Sequence, residues 1–266
     1  GSGVNMDNLG NFPPHFWKQL EWIEKVTNPV INIIPPALSR QLELIDKLFP
    51  PGLRDLLNDI ENQQDQLKEA IIALANNGWF VGLSLPLRIQ KQVLEKISEY
   101  PEQVDSILCD YYESNLESME QTLITGQPDR SSVIRDIFAG HKAKLYSLTV
   151  PTAFAQVDGI CVSSEFQGHL FMRPRGSELS QFGKNIIEAD LCDYQKLLFS
   201  PFMMSLPIAF NMKERESSEV NKLNRHTVIH GESTDYGNRV NSLKSIVLLC
   251  YVSEALTKHL RVIPNA

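Results

Sequence analysis

Cysteine is scarce in this sequence, and its four cysteines lie far apart. Cys109, Cys161, Cys192 and Cys250 include no Cys-x-x-Cys pair. This spacing excludes a zinc knuckle and a dense disulfide framework as the basis of the fold. The scarcity of cysteine favours a reducing compartment, and we expect a cytoplasmic protein.

Uninterrupted apolar runs are also missing. The longest charge-free apolar stretches, residues 145–157 and 197–212, are both interrupted by proline. They fall short of the roughly 18 to 20 apolar residues that a helix needs to cross a bilayer. We therefore expect no membrane segment and no membrane partner.

Positive charge is in the minority. The chain has 25 Lys and Arg against 32 Asp and Glu, a net charge of −7. This balance argues against attraction of the whole molecule to nucleic acid or anionic lipid, so a phosphate site has to be a local group of basic residues. Hydrophobic residues make up 42% of the chain, which excludes a disordered polymer and indicates a globular protein.

Strand-like alternation is rare, whereas apolar residues three and four apart recur along most of the chain. They begin with Phe16, Leu20 and Ile23 and recur from Leu53 to Leu74. The sequence therefore predicts an all-α fold. The loop-like residues 125–129 divide it into a helical N-terminal region, 6–125, and a helical domain, 130–266. We expect the tryptophans, Trp17, Trp22 and Trp79, to pack in the core of the N-terminal half.

The second half is predicted to be a helical bundle around its last helix. The expected helices cover residues 131–146, 178–199, 212–230 and 238–260. Pro151 suits the first turn of a short helix, and residues 165–172 suit a hairpin or an extended loop. Residues 246–252 are apolar on every face, which is typical of a helix surrounded by neighbours rather than one at the surface.

The residue types best suited to chemistry lie just before that last helix, in Asn224-Arg225-His226-Thr227-Val228-Ile229-His230-Gly231. Gly231 suits the position that follows a helix, which places His230 in the last helical turn. Histidine moves protons near neutral pH, and arginine holds a phosphate with a planar fork. The combination is suited to phosphodiester cleavage.

This motif resembles that of the HEPN superfamily, whose ribonuclease members carry arginine, a polar residue and, several residues later, histidine. The resemblance covers about residues 180–260, with Arg225, His226 and His230 at the catalytic positions. It implies a metal-independent endoribonuclease without a cofactor, acting as a homodimer in which two motif copies face one cleft. It also suggests a toxin or phage-defence effector, with a protein antitoxin or regulator as a further partner.

The implied reaction needs RNA as substrate. The ribose 2′-hydroxyl attacks the neighbouring phosphorus, a histidine moves a proton, and arginine stabilises charge on the phosphoryl oxygens. Asn224, next to the motif, and Arg173 and Arg175, in a predicted loop, are candidates for RNA binding.

Several alternatives stay open. A second copy of the motif, Arg135-Asp136 followed by His141, occurs in the predicted helix 131–146. The first copy also has a structural interpretation, with His230 as a helix-terminal cap and Arg225 in a salt bridge to Glu219, Glu232 or Asp235. His226 and His230, four residues apart, could instead bind a metal ion together with Glu232 or Asp235. A non-catalytic helical adaptor or sensor is the competing function.

Overall fold

The structure is a computed structural model that describes residues 68–69, 71–81, 85–97, 99–189, 191, 199–216 and 223–262. These residues contain helices and loops but no strand, which confirms the predicted all-α fold for this part of the chain. Residues 71–76 are helical, and nine further α-helices follow: α1 Leu87–Leu94, α2 Pro101–Glu113, α3 Leu116–Gly126, α4 Ser131–Lys142, α5 Tyr146–Ser163, α6 Gln181–Glu188, α7 Met212–Glu216, α8 Arg225–Ile229 and α9 Arg239–Val262.

Helix α9 lies at the centre of the fold. Ile246, Leu248 and Leu249 are fully buried, and Val247 on another face is 3% exposed. The long, largely apolar α5 packs along it, and α2, α3 and α4 contact it as well. The predicted buried C-terminal helix is confirmed, because a helix without a polar face needs neighbours on every side.

In the part of the chain that the structure describes, the buried side chains form two groups. The larger group brings Ile72 and Leu123 together with Val157 and Ile246, so residues on both sides of the predicted boundary at 125–130 share one core. The smaller group surrounds Trp79, which is fully buried as predicted. The extent of the two predicted regions stays a prediction, since most of the first region lies outside the described residues.

The sequence had suggested that Pro151 lies in the first turn of a helix. In the structure it lies inside α5 instead. Proline lacks the N–H that would bond to the carbonyl four residues earlier, on Ser147. That carbonyl accepts a hydrogen bond from the Tyr236 hydroxyl instead, at 3.1 Å. This contact from a distant loop removes part of the cost of an interior proline, so the helix continues through it.

Two predicted helices are shorter than expected. The helix predicted over 178–199 begins only after Ser180, whose hydroxyl accepts a hydrogen bond from the Gly183 N–H, and ends at Ala189, where the backbone becomes extended. The helix predicted over 212–230 is interrupted, because Asn224 is extended and starts the separate helix α8. In both segments a capping side chain, rather than the apolar spacing, sets where the helix starts.

Residues 165–172, where a hairpin was one of two expectations, form an irregular loop instead. Gln167 and Gly168 have positive φ angles, and the Asn185 side chain donates hydrogen bonds to the carbonyls of Phe166 and Gln167. This loop and residues 173–177 after it contribute to the lining of a cleft beside Arg225.

The helices expected around Phe16 and from Leu53 up to residue 67, and the positions of Trp17, Trp22 and Cys192, lie outside the described residues. In the part of the chain that is described, no helix is both long enough and apolar enough to cross a membrane.

Candidate functional site

Helix α8, which carries the predicted motif, is held in place by Asn224. The Asn224 side-chain oxygen accepts a hydrogen bond from the Thr227 N–H at 3.1 Å. Its amide nitrogen donates to the carbonyls of Pro207 and Phe210, at 2.7 and 3.0 Å. Asn224 is only 3% exposed, so this candidate for RNA binding is already engaged within the protein. In the structure it positions Arg225, the residue that follows it.

Arg225 and His226 line a cleft with a volume of about 280 Å³. The loop that contains Arg173 and Arg175, about fifty positions earlier in the sequence, lines the same cleft. Four of the predicted site residues, two from each segment, therefore meet around one opening. Among the described residues, no Asp or Glu lines this cleft.

Arg173 builds the cleft wall and has its own partner. Its Nη1 atom lies 2.7 Å from both carboxylate oxygens of Glu214, and its Nη2 atom donates to the Ala209 carbonyl at 2.9 Å. The Arg173 side chain is only 10% exposed. Its charge is thus balanced, and it ties the loop of residues 173–177 to α7.

Arg175 and Arg225 provide the uncompensated positive charge of the cleft. Within the described segments, neither guanidinium forms an ion pair, and Arg175 is exposed. The Arg225 guanidinium lies 5.8 Å from the centre of the Phe171 ring, which supports it by a cation–π contact without neutralising its charge. Two unpaired guanidinium groups in a concave site attract anions, phosphate above all.

His226 adds a group that can accept a proton. Its Nε2 atom lies 3.3 Å from the Glu232 Oε1 atom. Partial burial lowers the pKa of His226, and His230, Arg215 and Arg225 lower it further, whereas the Glu232 carboxylate acts in the opposite direction. A pKa below the ordinary histidine value favours the neutral imidazole at pH 7, the form that acts as a base.

Glu232 is in turn held by Arg215. The Arg215 Nη1 atom donates to the Glu232 Oε2 atom at 2.7 Å, and this hydrogen bond is the main reason why the pKa of Glu232 is lowered. Arg215, Glu232 and His226 thus form a continuous chain of contacts that ends at the cleft. Sequence reasoning missed Arg215, because no short motif connects α7 with a loop 17 residues away.

His230 lies beside His226 and is not among the residues that line the cleft. It occupies the C-cap of α8, and Gly231 follows with a φ of +71°, as predicted for the residue after a helix. The centres of the two imidazole rings are 4.2 Å apart. His230 is exposed, so it is accessible from outside the protein.

The residues of the second motif copy lie in two different environments. Arg135 and Asp136 are exposed on α4, whereas His141 is only 4% exposed. The His141 Nδ1 atom lies 2.8 Å from the Ser242 hydroxyl, and its Nε2 atom lies 3.6 Å from Glu113. Burial lowers the pKa of His141. These contacts describe a neutral core histidine that does not share a surface with Arg135.

The structure also bears on the alternatives to catalysis for the first copy of the motif, namely a salt bridge of Arg225, a helix cap at His230 and a metal site. Glu232 pairs with Arg215 and His226 rather than with Arg225, and Asp235 accepts a hydrogen bond from Ser233. Glu219 lies outside the described residues. His230 does cap α8, as the structural interpretation expected. In the described chain, no three His, Cys, Asp or Glu side chains are grouped closely enough to hold a metal ion.

Comparison of this chain with protein-family models, with curated proteins and with solved structures finds no significant match.

Proposed function

We propose that this protein is a metal-independent endoribonuclease of HEPN type that cleaves RNA at the cleft between α8 and the loop of residues 173–177. One observation carries the proposal: two guanidinium groups without ion-pair partners in the described structure, those of Arg175 and Arg225, line the same cleft as the neutral imidazole of His226. An anion-binding group beside a base is the minimum that phosphodiester transfer requires.

The proposed reaction uses the ribose 2′-hydroxyl as nucleophile. His226 accepts the proton of that hydroxyl while its oxygen bonds to the adjacent phosphorus, and the bond from phosphorus to the 5′-oxygen breaks. Arg225 and Arg175 stabilise the charge on the non-bridging oxygens. The products are a 2′,3′-cyclic phosphate and, after the leaving oxygen takes up a proton, a 5′-hydroxyl.

The proton for the leaving oxygen has to come from the far side of the phosphorus, because attacking and leaving oxygens lie roughly in line. His230 cannot deliver it to the phosphate that His226 serves, since the two rings lie against each other at 4.2 Å. The proposal therefore includes a homodimer, in which His230 of a second copy provides the acid. The proposed cellular role is that of a toxin or phage-defence effector held in check by a protein antitoxin or regulator.

End-group analysis tests this proposal. Purified protein is incubated with mixed RNA in EDTA, and the products are examined for 2′,3′-cyclic phosphate and 5′-hydroxyl ends. We expect both ends to form, and we expect single-stranded DNA to stay intact because it lacks the attacking hydroxyl. RNA that is bound but never cleaved would contradict the proposal and favour the adaptor.

A further inference from the structure

The contacts of Glu232 suggest a role for a residue that the motif itself does not include. Its carboxylate lies between the side chains of Arg215 and His226. The Arg215 Nη1 atom is 2.7 Å from one carboxylate oxygen, and the His226 Nε2 atom is 3.3 Å from the other. The Glu232 side chain is 45% exposed, so burial does not force the carboxylate into this position. The hydrogen bond from Arg215 holds it there, next to His226.

From this geometry we infer that Glu232, anchored by Arg215, is a positioning residue that keeps the proton of His226 on Nε2 and leaves Nδ1 free to act as the base. The Glu232 carboxylate is negatively charged and lies 3.3 Å from Nε2, so its charge favours the tautomer that carries the proton on that nitrogen. The other ring nitrogen then has the lone pair. The catalytic part of this inference rests on the proposed ribonuclease activity, whereas the position of the proton does not.

Arg215 makes this inference testable, because arginine has hydrogen-bond donors and no acceptor. In a Glu232→Gln variant, the amide oxygen must face Arg215, so the amide NH₂ group must face His226. An NH₂ group donates, and it favours an unprotonated Nε2. The substitution is nearly isosteric, yet it should move the His226 proton from Nε2 to Nδ1 and thereby block the base.

In the described residues, four charged or titratable groups influence the pKa of His226. They are Glu232 and His230 in the segment after α8, Arg225 within α8, and Arg215 on α7. Glu232 is the only acceptor among them that lies on the Nε2 side of the ring at contact distance in the described structure. Asp235 belongs to the same exposed loop but bonds to Ser233, so Asp235→Asn is a matched control for loss of a carboxylate.

Long-range ¹H–¹⁵N NMR on the full chain at about pH 8, where histidine is neutral, tests the inference. The His226 signal is assigned by its loss in a His226→Gln spectrum. We expect Nε2–H in the unmodified protein and in Asp235→Asn, and Nδ1–H in Glu232→Gln. Free imidazole already favours Nε2–H, so the change to Nδ1–H in Glu232→Gln is the discriminating result. An unchanged tautomer in Glu232→Gln, or inversion in Asp235→Asn, would overturn the inference.

RNA cleavage by the same three proteins separates this inference from the proposed function. We expect Glu232→Gln to cleave about 10²-fold more slowly, at the lower end of the contribution of a proton-transfer group, with RNA affinity unchanged. If the His226 tautomer changes in Glu232→Gln but RNA cleavage does not slow, the positioning role is overturned. Inversion in a protein that never cleaves RNA would overturn the ribonuclease proposal and leave Glu232 as the group that sets the His226 tautomer.

Discussion

The imidazole rings of His226 and His230 lie against each other, with their centres 4.2 Å apart and their planes inclined by 49°. The two residues are four positions apart, and α8 is just long enough to bring them onto one face. Because protonation of one ring disfavours protonation of the other, His230 helps to lower the pKa of His226.

The pKa of His226 should respond with opposite sign to its two neighbours. His230→Ala should raise the pKa of His226, because it removes a competing positive charge, whereas Glu232→Ala should lower it, because it removes the stabilising carboxylate. An NMR titration of the His226 ring proton measures both shifts. Shifts in the same direction, or no shift in either variant, would show that these contacts are absent in solution.

A homodimer is the second expectation. The two rings of one copy lie against each other, so in the proposed reaction the base and the acid come from two copies. Sedimentation velocity at micromolar concentration should show a dimer. A monomer at every concentration where RNA is cleaved would contradict the composite site.

Replacing Arg225 by lysine should affect RNA cleavage more than folding. Lysine keeps the charge but loses the planar fork and its contact with Phe171, so we expect cleavage to fall by about tenfold or more, equivalent to about 1.4 kcal/mol of barrier. The free energy of unfolding should fall by no more than about 1 kcal/mol, the size of an exposed cation–π contact.

Arg135→Lys provides the control, because Arg135 is an exposed arginine on α4 away from the cleft. It should change neither cleavage nor stability. Equal losses of cleavage in both variants would show that Arg225 contributes only general charge. A large loss of stability in Arg225→Lys would favour the structural interpretation of the motif.

His141 should contribute to stability rather than to cleavage. His141→Gln disturbs its buried contacts with Ser242 and Glu113, and we expect it to lower the free energy of unfolding by about 1 to 3 kcal/mol at pH 7.5. Chemical denaturation measures this loss. An unchanged free energy of unfolding would contradict the buried placement.

The pH dependence of stability provides a second readout for His141. Burial lowers its pKa in the folded state below the unfolded value of about 6.5, so the folded state binds the proton less readily. Stability is therefore complete above about pH 6.5 and is lost as the pH falls below it. His141→Gln should lose less stability than the unmodified protein between pH 7 and pH 5.5. An equal loss in the two proteins would show that His141 does not titrate differently on folding.

The sequence predicts the centre of this fold better than its surface. The apolar run of residues 246–252 indicates burial on every face, and the structure confirms it, because so short an apolar segment avoids water only when neighbouring helices surround it. The places where a helix starts, stops or continues through a proline are harder to predict from the sequence. Asn224 starts a helix within an apparently continuous pattern, and Pro151 is accepted within one because Tyr236 bonds to the Ser147 carbonyl.

In the candidate site too, residues that are neighbours in the sequence could be predicted, whereas contacts between distant segments could not. Arg225, His226 and His230 are neighbours in the sequence, so their types and spacing could be recognised directly. The contacts of Arg225 with Phe171 and of Glu232 with Arg215 depend on how distant segments pack, which residue spacing does not encode. Arg173 and Arg175 were selected from sequence for their charge and their place in a predicted loop. Only the structure shows that Arg173 pairs with Glu214, whereas Arg175 has no ion-pair partner among the described residues.

The most direct test of the account compares RNA cleavage by three histidine variants in EDTA, with equal concentrations of folded protein. We expect His226→Ala and His230→Ala each to lose about 10²- to 10⁴-fold of the rate, the contribution of a proton-transfer group, and His141→Gln to retain most of it. If His141→Gln is the inactive variant, or if all three cleave like the unmodified protein, the assignment of catalysis to the cleft beside α8 is wrong.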